Sequence, residues 1–111
     1  MAANSAPRGV AGTFAMTVQA TGTQDGQVYL NSELDYRDQR NLTVALTPIA
    51  AMHLRARLGA DPLIALKGRD IVVTGAARRV QIFFFADGRR SDKYYYQTHV
   101  NVTSAEQVVV R

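Results

Sequence analysis

From Thr13 to Thr23 the side chains alternate, with Phe14, Met16, Val18 and Ala20 on one face and Thr13, Thr17, Gln19 and Thr21 on the other. A period of two describes a half-buried strand; an amphipathic helix would repeat its apolar positions roughly every three to four residues. The run stops at Gln24-Asp25-Gly26 and resumes with Val28 and Leu30 inward, Tyr29 and Asn31 outward. Asp-Gly between two alternating runs predicts a tight hairpin, because both turn residues must adopt positive φ. A polar stretch, LDYRDQRN, then leads to a third strand with Leu42, Val44 and Leu46 inward. The first half of the chain is thereby committed to antiparallel β-structure.

One helix is expected next, over about residues 48 to 58. Thr47 suits the N-cap, and Pro48 suits the first helical position, where a missing N–H costs nothing. Ile49, Ala51, Met52, Leu54 and Leu58 make the apolar stripe, and Gly59 supplies the stop after Arg55 and Arg57. KGRDIVVTG and ARRVQIFFFA then read as one long strand, DGRRSD as its turn, KYYYQTHVNV as the return and AEQVVV as a short terminal strand. Three strands, a helix and a long hairpin predict an all-β fold with one helix. The matching layout is a five-stranded antiparallel Greek-key barrel of the oligonucleotide/oligosaccharide-binding (OB) type with an extended final hairpin. Nothing alternates strand with helix as a parallel sheet would require. The expected inward set is Val18, Leu30, Val44, Leu46, Leu54, Leu58, Val73 and Val100.

With 111 residues, 47% of them hydrophobic and 20% charged, the chain suits one domain with a single small core. Residues 1–12 read as a disordered leader and 13–111 as the domain. No apolar run approaches the roughly 18 residues of a membrane span, so no membrane partner is expected. The leader lacks the apolar segment of a signal peptide, but a chain whose signal had been cleaved would begin the same way. Cytoplasm and periplasm therefore both stay open. The lack of cysteine removes disulfides, thiolate metal sites and cysteine nucleophiles.

VYLNSELDYRDQRNLTVAL, LKGRDIVVTG and the closing AEQVVV resemble bacterial OB-fold modules of largely uncharacterised function. In such modules a Leu-Asn strand, an aspartate-tyrosine loop and an Asn/Phe-Thr-Val strand precede a helix. A Lys-Gly strand ending in Thr-Gly and a terminal Gln-Ile/Val follow. The resemblance covers roughly residues 14 to 110 and implies the barrel, not the ligand. The chain departs from that pattern in its longer, more aromatic final hairpin.

No P-loop, no G-x-S-x-G and no dinucleotide fingerprint occurs, and His53 and His99 stand far apart in the sequence. His99 on a strand is expected to be a structural hydrogen-bonder. Asp35 and Asp38 are interleaved with Arg37 and Arg40 and are expected to pair with them rather than hold a metal ion. A nuclease of the staphylococcal type needs metal-binding carboxylates with phosphate-clamping arginines, and no full set can be assigned. The reading is non-enzymatic, with no cofactor.

The hairpin IFFFADGRRSDKYYYQTHV carries the functional expectation. Seven basic residues between Lys67 and Lys93 face three acidic ones and hold the whole net charge of +4. Three consecutive rings on a strand cannot all point inward. Tyr94 and Tyr96 share a face with Val100 and Val102 and are expected on the core side, with Tyr95 outside. The candidate nucleic-acid-binding set is Arg78, Arg79, Phe83, Phe85, Arg89, Arg90, Lys93 and Tyr95, rings for stacking beside cations for phosphate. Single-stranded DNA or RNA is the expected partner. The alternative is a protein partner or a homodimer, since exposed Tyr, Phe and Arg are also the residues enriched at interfaces. An exported module for a small or cationic ligand is a third option.

Overall fold

The structure, a computed structural model, describes residues 9–111. The expected leader lies outside the described residues from 1 to 8, and its last residues, Val10 to Gly12, already belong to a strand. Among the described residues the strands are β1 (Val10–Thr17), β2 (Ala20–Gln24), β3 (Gln27–Asn31), β4 (Leu42–Leu46), β5 (Asp70–Ala86), β6 (Arg89–Val102) and β7 (Val108–Val110). Helix α1 (Pro48–Leu58) and the short α2 (Pro62–Ala65) lie between β4 and β5.

Local chemistry explains the elements. Asp25 and Gly26 have φ of 53° and 82°, and Asp87 and Gly88 have 53° and 74°. Both are two-residue turns of the type whose twist matches the flanking strands. The second turn is therefore tighter than the DGRRSD loop expected from the sequence, and Arg89 to Asp92 are already strand. Thr47 caps α1 by accepting the Ala50 N–H, Pro48 opens the helix, and Gly59 closes it at φ 70°.

The fold is mostly β, with a strongly curled sheet that forms a half-barrel. Its strand order is β1-β5-β6-β4-β3-β2, with β7 on β5. Two corrections to the five-stranded antiparallel expectation follow. Among the described residues there are seven strands, because the first expected strand divides at Val18 and Gln19 and the terminal strand adds another. At that break the chain changes partners: Val18 exchanges backbone hydrogen bonds with Gly68 and Arg69, whereas the Gln19 N–H donates to the Asn31 carbonyl. The sheet is also mixed, because β4 and β6 pair in parallel. Antiparallel hairpins are legible one turn at a time, but β4 and β6 meet only after two helices and β5 have intervened.

The concave side holds the core. Val18, Leu30, Val44, Leu46, Leu66, Val73, Val100 and Val102 are fully buried there, together with Leu54 of α1. Leu58, expected inside, is only half-buried, and Ile49 and Met52 are exposed; α1 instead turns Ala50, Ala51 and Leu54 inward. Small residues beside one leucine let the helix lie close against β3 and β4. Among the described residues no helix is long and apolar enough to cross a membrane.

Candidate functional site

Beyond Ala77 on β5 and Thr98 on β6, the hairpin has no buried residue and runs on as a two-stranded ribbon. An isolated ribbon is marginal in water, so ring packing must hold it. Register splits the rings between two faces. Phe83 pairs with Tyr94 and Ile82 with Tyr95. On the core-side face, Phe83 and Tyr94 have centroids 5.9 Å apart and Tyr94 and Tyr96 5.4 Å apart. Guanidinium groups flank this ladder, Arg90 at 4.4 Å from the Phe83 ring and Arg79 at 3.9 Å from the Tyr96 ring. On the other face Phe84 leans on Tyr95 at 5.2 Å.

The candidate residues are thus not one platform. Arg79, Phe83, Phe85 and Arg90 share the core-side face, Phe85 being register-paired with Arg90. Tyr95 lies on the opposite face, as does Arg78, which is paired with His99. Arg89 and Lys93 are exposed near the tip. The expectation that Tyr94 and Tyr96 are covered is overturned: they are 50% and 38% exposed, while Tyr95 is half-buried. Their parity matches Val100 and Val102, but the ribbon has outrun the barrel there, and the rings stay exposed. No ion pair engages Arg78, Arg79, Arg89, Arg90 or Lys93 among the described residues.

Tyr95 instead looks into a cleft of about 620 Å³, within the range of small-ligand sites. Its floor is the outer face of β2, β3, β4 and β6, and Leu34 and Tyr36 of the β3–β4 loop form a wall. Among the described residues no lining side chain is an acid, a lysine or an arginine. Tyr29, Tyr36, Tyr95, Asn31, Thr43, Gln97 and His99 supply its rings and polar atoms. The sequence singled out only Tyr95 of these as a binding residue. The alternation Tyr95, Gln97, His99 was the available signal for the rest.

Two hydrogen-bond systems order the floor. The Gln97 amide donates to the Tyr95 hydroxyl at 3.0 Å, and its carbonyl oxygen meets His99 Nε2 at 2.7 Å. The second joins buried Asn31, Asn41 and Thr43: Asn41 Nδ2 donates to Asn31 Oδ1 at 3.0 Å and to Thr43 Oγ1 at 2.9 Å. Asn31 was expected outward; it does face away from the core, but the loop covers it. Within that loop Arg37 pairs with Asp35 at 3.1 Å and Arg40 with Asp38 at 2.8 Å, as the interleaving predicted. Hydrogen bonds from Arg40 pull the Asp38 carboxyl down to about 2. Among the described residues no three histidine, aspartate or glutamate side chains converge as a metal site.

Burial lowers the His99 imidazole below its ordinary value. As pH falls, the unfolded chain therefore takes up this proton first, at about 6.5, and the native state is penalised. The His99 contribution is fully present above that value and is lost progressively below it. Melting temperature is expected to drop between about pH 7 and pH 5, and His99→Gln to remove part of the drop. An identical acid profile in the variant would contradict the assignment.

The chain matches no protein-family model, and no curated protein matches it at a significant level.

Proposed function

We propose that this protein is a non-enzymatic OB-type barrel that binds single-stranded nucleic acid, with bases in the outer cleft and phosphates drawn to the cations of the ribbon. The pairing circuit supports the barrel reading. β1 and β2 act as one strand that changes partners, the parallel pairing joins the third and last strands of the remaining set, and α1 stands between the third and fourth. OB barrels take their ligands on the face of their second and third strands, between the first turn and the last hairpin. Here those are β3, β4, the Asp25-Gly26 turn and the β5–β6 ribbon. The observation that carries the proposal is an uncharged cleft with three tyrosine rings at that place, with Arg78 on the same face of the ribbon and Arg89 and Lys93 exposed near its tip, none of them ion-paired among the described residues. Bases stack on rings without regard to charge, whereas phosphates need cations.

Fluorescence anisotropy with a labelled single-stranded oligonucleotide at about 50 and 200 mM salt tests it. Binding is expected to weaken steeply with salt. Replacing Arg89 and Arg90 together by alanine should flatten the logarithmic salt slope by roughly 1.4, about 0.7 for each phosphate that is no longer neutralised. Tyr95→Ala should cost about 1–3 kcal/mol of binding, as removal of one stacking ring does. No detectable binding at the lower salt would end the proposal. The exposed rings Phe84, Phe85 and Tyr94, at 44%, 69% and 50%, favour a second reading as an association surface. Under that reading the same variants would shift the oligomer mass and leave nucleic acid irrelevant.

A further inference from the structure

The ribbon is amphipathic where the barrel has already ended. Phe83, Phe85, Tyr94 and Tyr96 share its core-side face, and three of them stay exposed, Phe85 at 69%, Tyr94 at 50% and Tyr96 at 38%. A sheet face that carries rings ordinarily packs on a second layer about 10 Å away, and a two-stranded ribbon by itself is marginal in water. The ladder is poorly suited to bases. Arg90 and Arg79 lie on the faces of Phe83 and Tyr96, and Tyr94 meets its two neighbours at 61° and 73°, so edges rather than open ring faces are on show. Such a surface suits other side chains, and Tyr, Phe and Arg are the residues enriched where proteins meet.

Charge along the ladder says what kind of protein. Arg79 stands at the barrel end, register-paired with Thr98. At the other end Asp92 is exposed in the irregular stretch between Arg90 and Tyr94, and Asp87 is in the turn. None of Arg79, Asp87 and Asp92 has an ion-pair partner among the described residues. An acidic partner would meet Asp87 and Asp92 as like charges, and a basic one would meet Arg79 and Arg90. A second copy whose ribbon runs the opposite way satisfies both ends. Arg79 of each copy then approaches Asp92 of the other, and Tyr94, midway along the ladder, meets its own mate. Ribbons running the same way would instead set Arg79 on Arg79 and Arg90 on Arg90.

We propose that the ladder face is a self-association surface, on which two copies pack their ribbons antiparallel, ring against ring, about a two-fold axis near Tyr94. A closed two-fold contact uses the same patch twice, which a face with a cation at one end and a carboxylate at the other allows. The guanidinium groups tolerate the contact because they are weakly hydrated and already stacked. Beyond Ala77, β5 runs on to Ala86, about 30 Å at roughly 3.3 Å per residue, and two strands are about 10 Å wide. The footprint of roughly 300 Å² per copy is well under the ~800 Å² of a stable complex, so the pairing is weak and reversible. Tyr95 and Arg78 lie on the opposite face, so both clefts stay open and the pairing does not depend on what they hold.

Sedimentation equilibrium without nucleic acid, over about 5 to 500 µM protein, tests it in the range where small interfaces associate. The mass is expected to rise from 12.2 kDa toward twice that value as concentration increases. Arg79→Asp and Asp92→Arg, both at exposed positions, should each weaken association roughly tenfold by setting like charges together. An equimolar mixture of the two variants should restore it, because each mixed pair again places opposite charges at both contacts. Tyr94→Glu should stay at the single-chain mass at the highest concentration, with its fold checked by its melting transition. A single-chain mass for the unaltered protein throughout, or a mixture no more associated than its components, would overturn the proposal. Unchanged association in Tyr94→Glu would overturn it as well, even if a charge variant failed to fold.

Discussion

Leu54→Ala is expected to destabilise the protein by about 2–5 kcal/mol in urea unfolding, the usual range for truncating a buried leucine. The side chain is fully buried and is the one large residue that α1 sends into the core. Its neighbours on the buried face are Ala50 and Ala51, too small to fill the space that a truncation would leave. The helix adjoins β3, β4 and the turn at Ala105–Gln107, so the cavity would open where helix and sheet meet. Ile49→Ala and Met52→Ala on the exposed side of the same helix should stay within about half a kcal/mol. If Leu54→Ala also costs less than that, α1 does not close the barrel, and the core assignment is wrong.

Asn41→Ala is expected to cost about 1–3 kcal/mol, through the polar groups it would strand rather than through a change in buried area. Asn41 is 3% exposed, accepts the Glu33 N–H and donates to Asn31 and Thr43. A hydrogen bond of 3.4 Å to the Tyr36 carbonyl also ties it to the wall of the cleft. Alanine would leave the Glu33 N–H and the Asn31 oxygen short of partners and free the Asn31 amide to rotate. Urea unfolding should show the drop in stability, and amide exchange across residues 33–36 should show the wall loosening. A variant with unaltered stability and exchange would mean that water replaces Asn41 without penalty, and that Asn31 is not held in one orientation.

Both variants bear on how much could be read before the fold was known. The candidate rings and cations were visible as residue types around one hairpin, and parity along β5 and β6 was visible too. The cleft was not. Tyr95 came forward as an exposed ring among polar neighbours, yet those neighbours, Gln97 and His99, are its hydrogen-bonded floor. Tyr29, Asn31 and Thr43 come from other strands, and no local pattern joins them to Tyr95.

What the sequence determined by itself rests on chemistry within a few residues. Asp-Gly pairs impose positive φ on two turns, Thr47, Pro48 and Gly59 mark the ends of α1, and alternation names the face of each strand. The expected inward set from Val18 to Val100 rested on that alternation and on the helical stripe of α1, with Leu58 the member that only half-enters the core. Tertiary structure alone decided the parallel union of β4 and β6, the change of partner at Val18 and Gln19, and the burial of Asn31 and Asn41. It also reversed the expected exposure of Tyr94, Tyr95 and Tyr96. A period of two states which way a side chain points, but whether anything lies there depends on where a strand outruns the barrel and which distant loop folds over it.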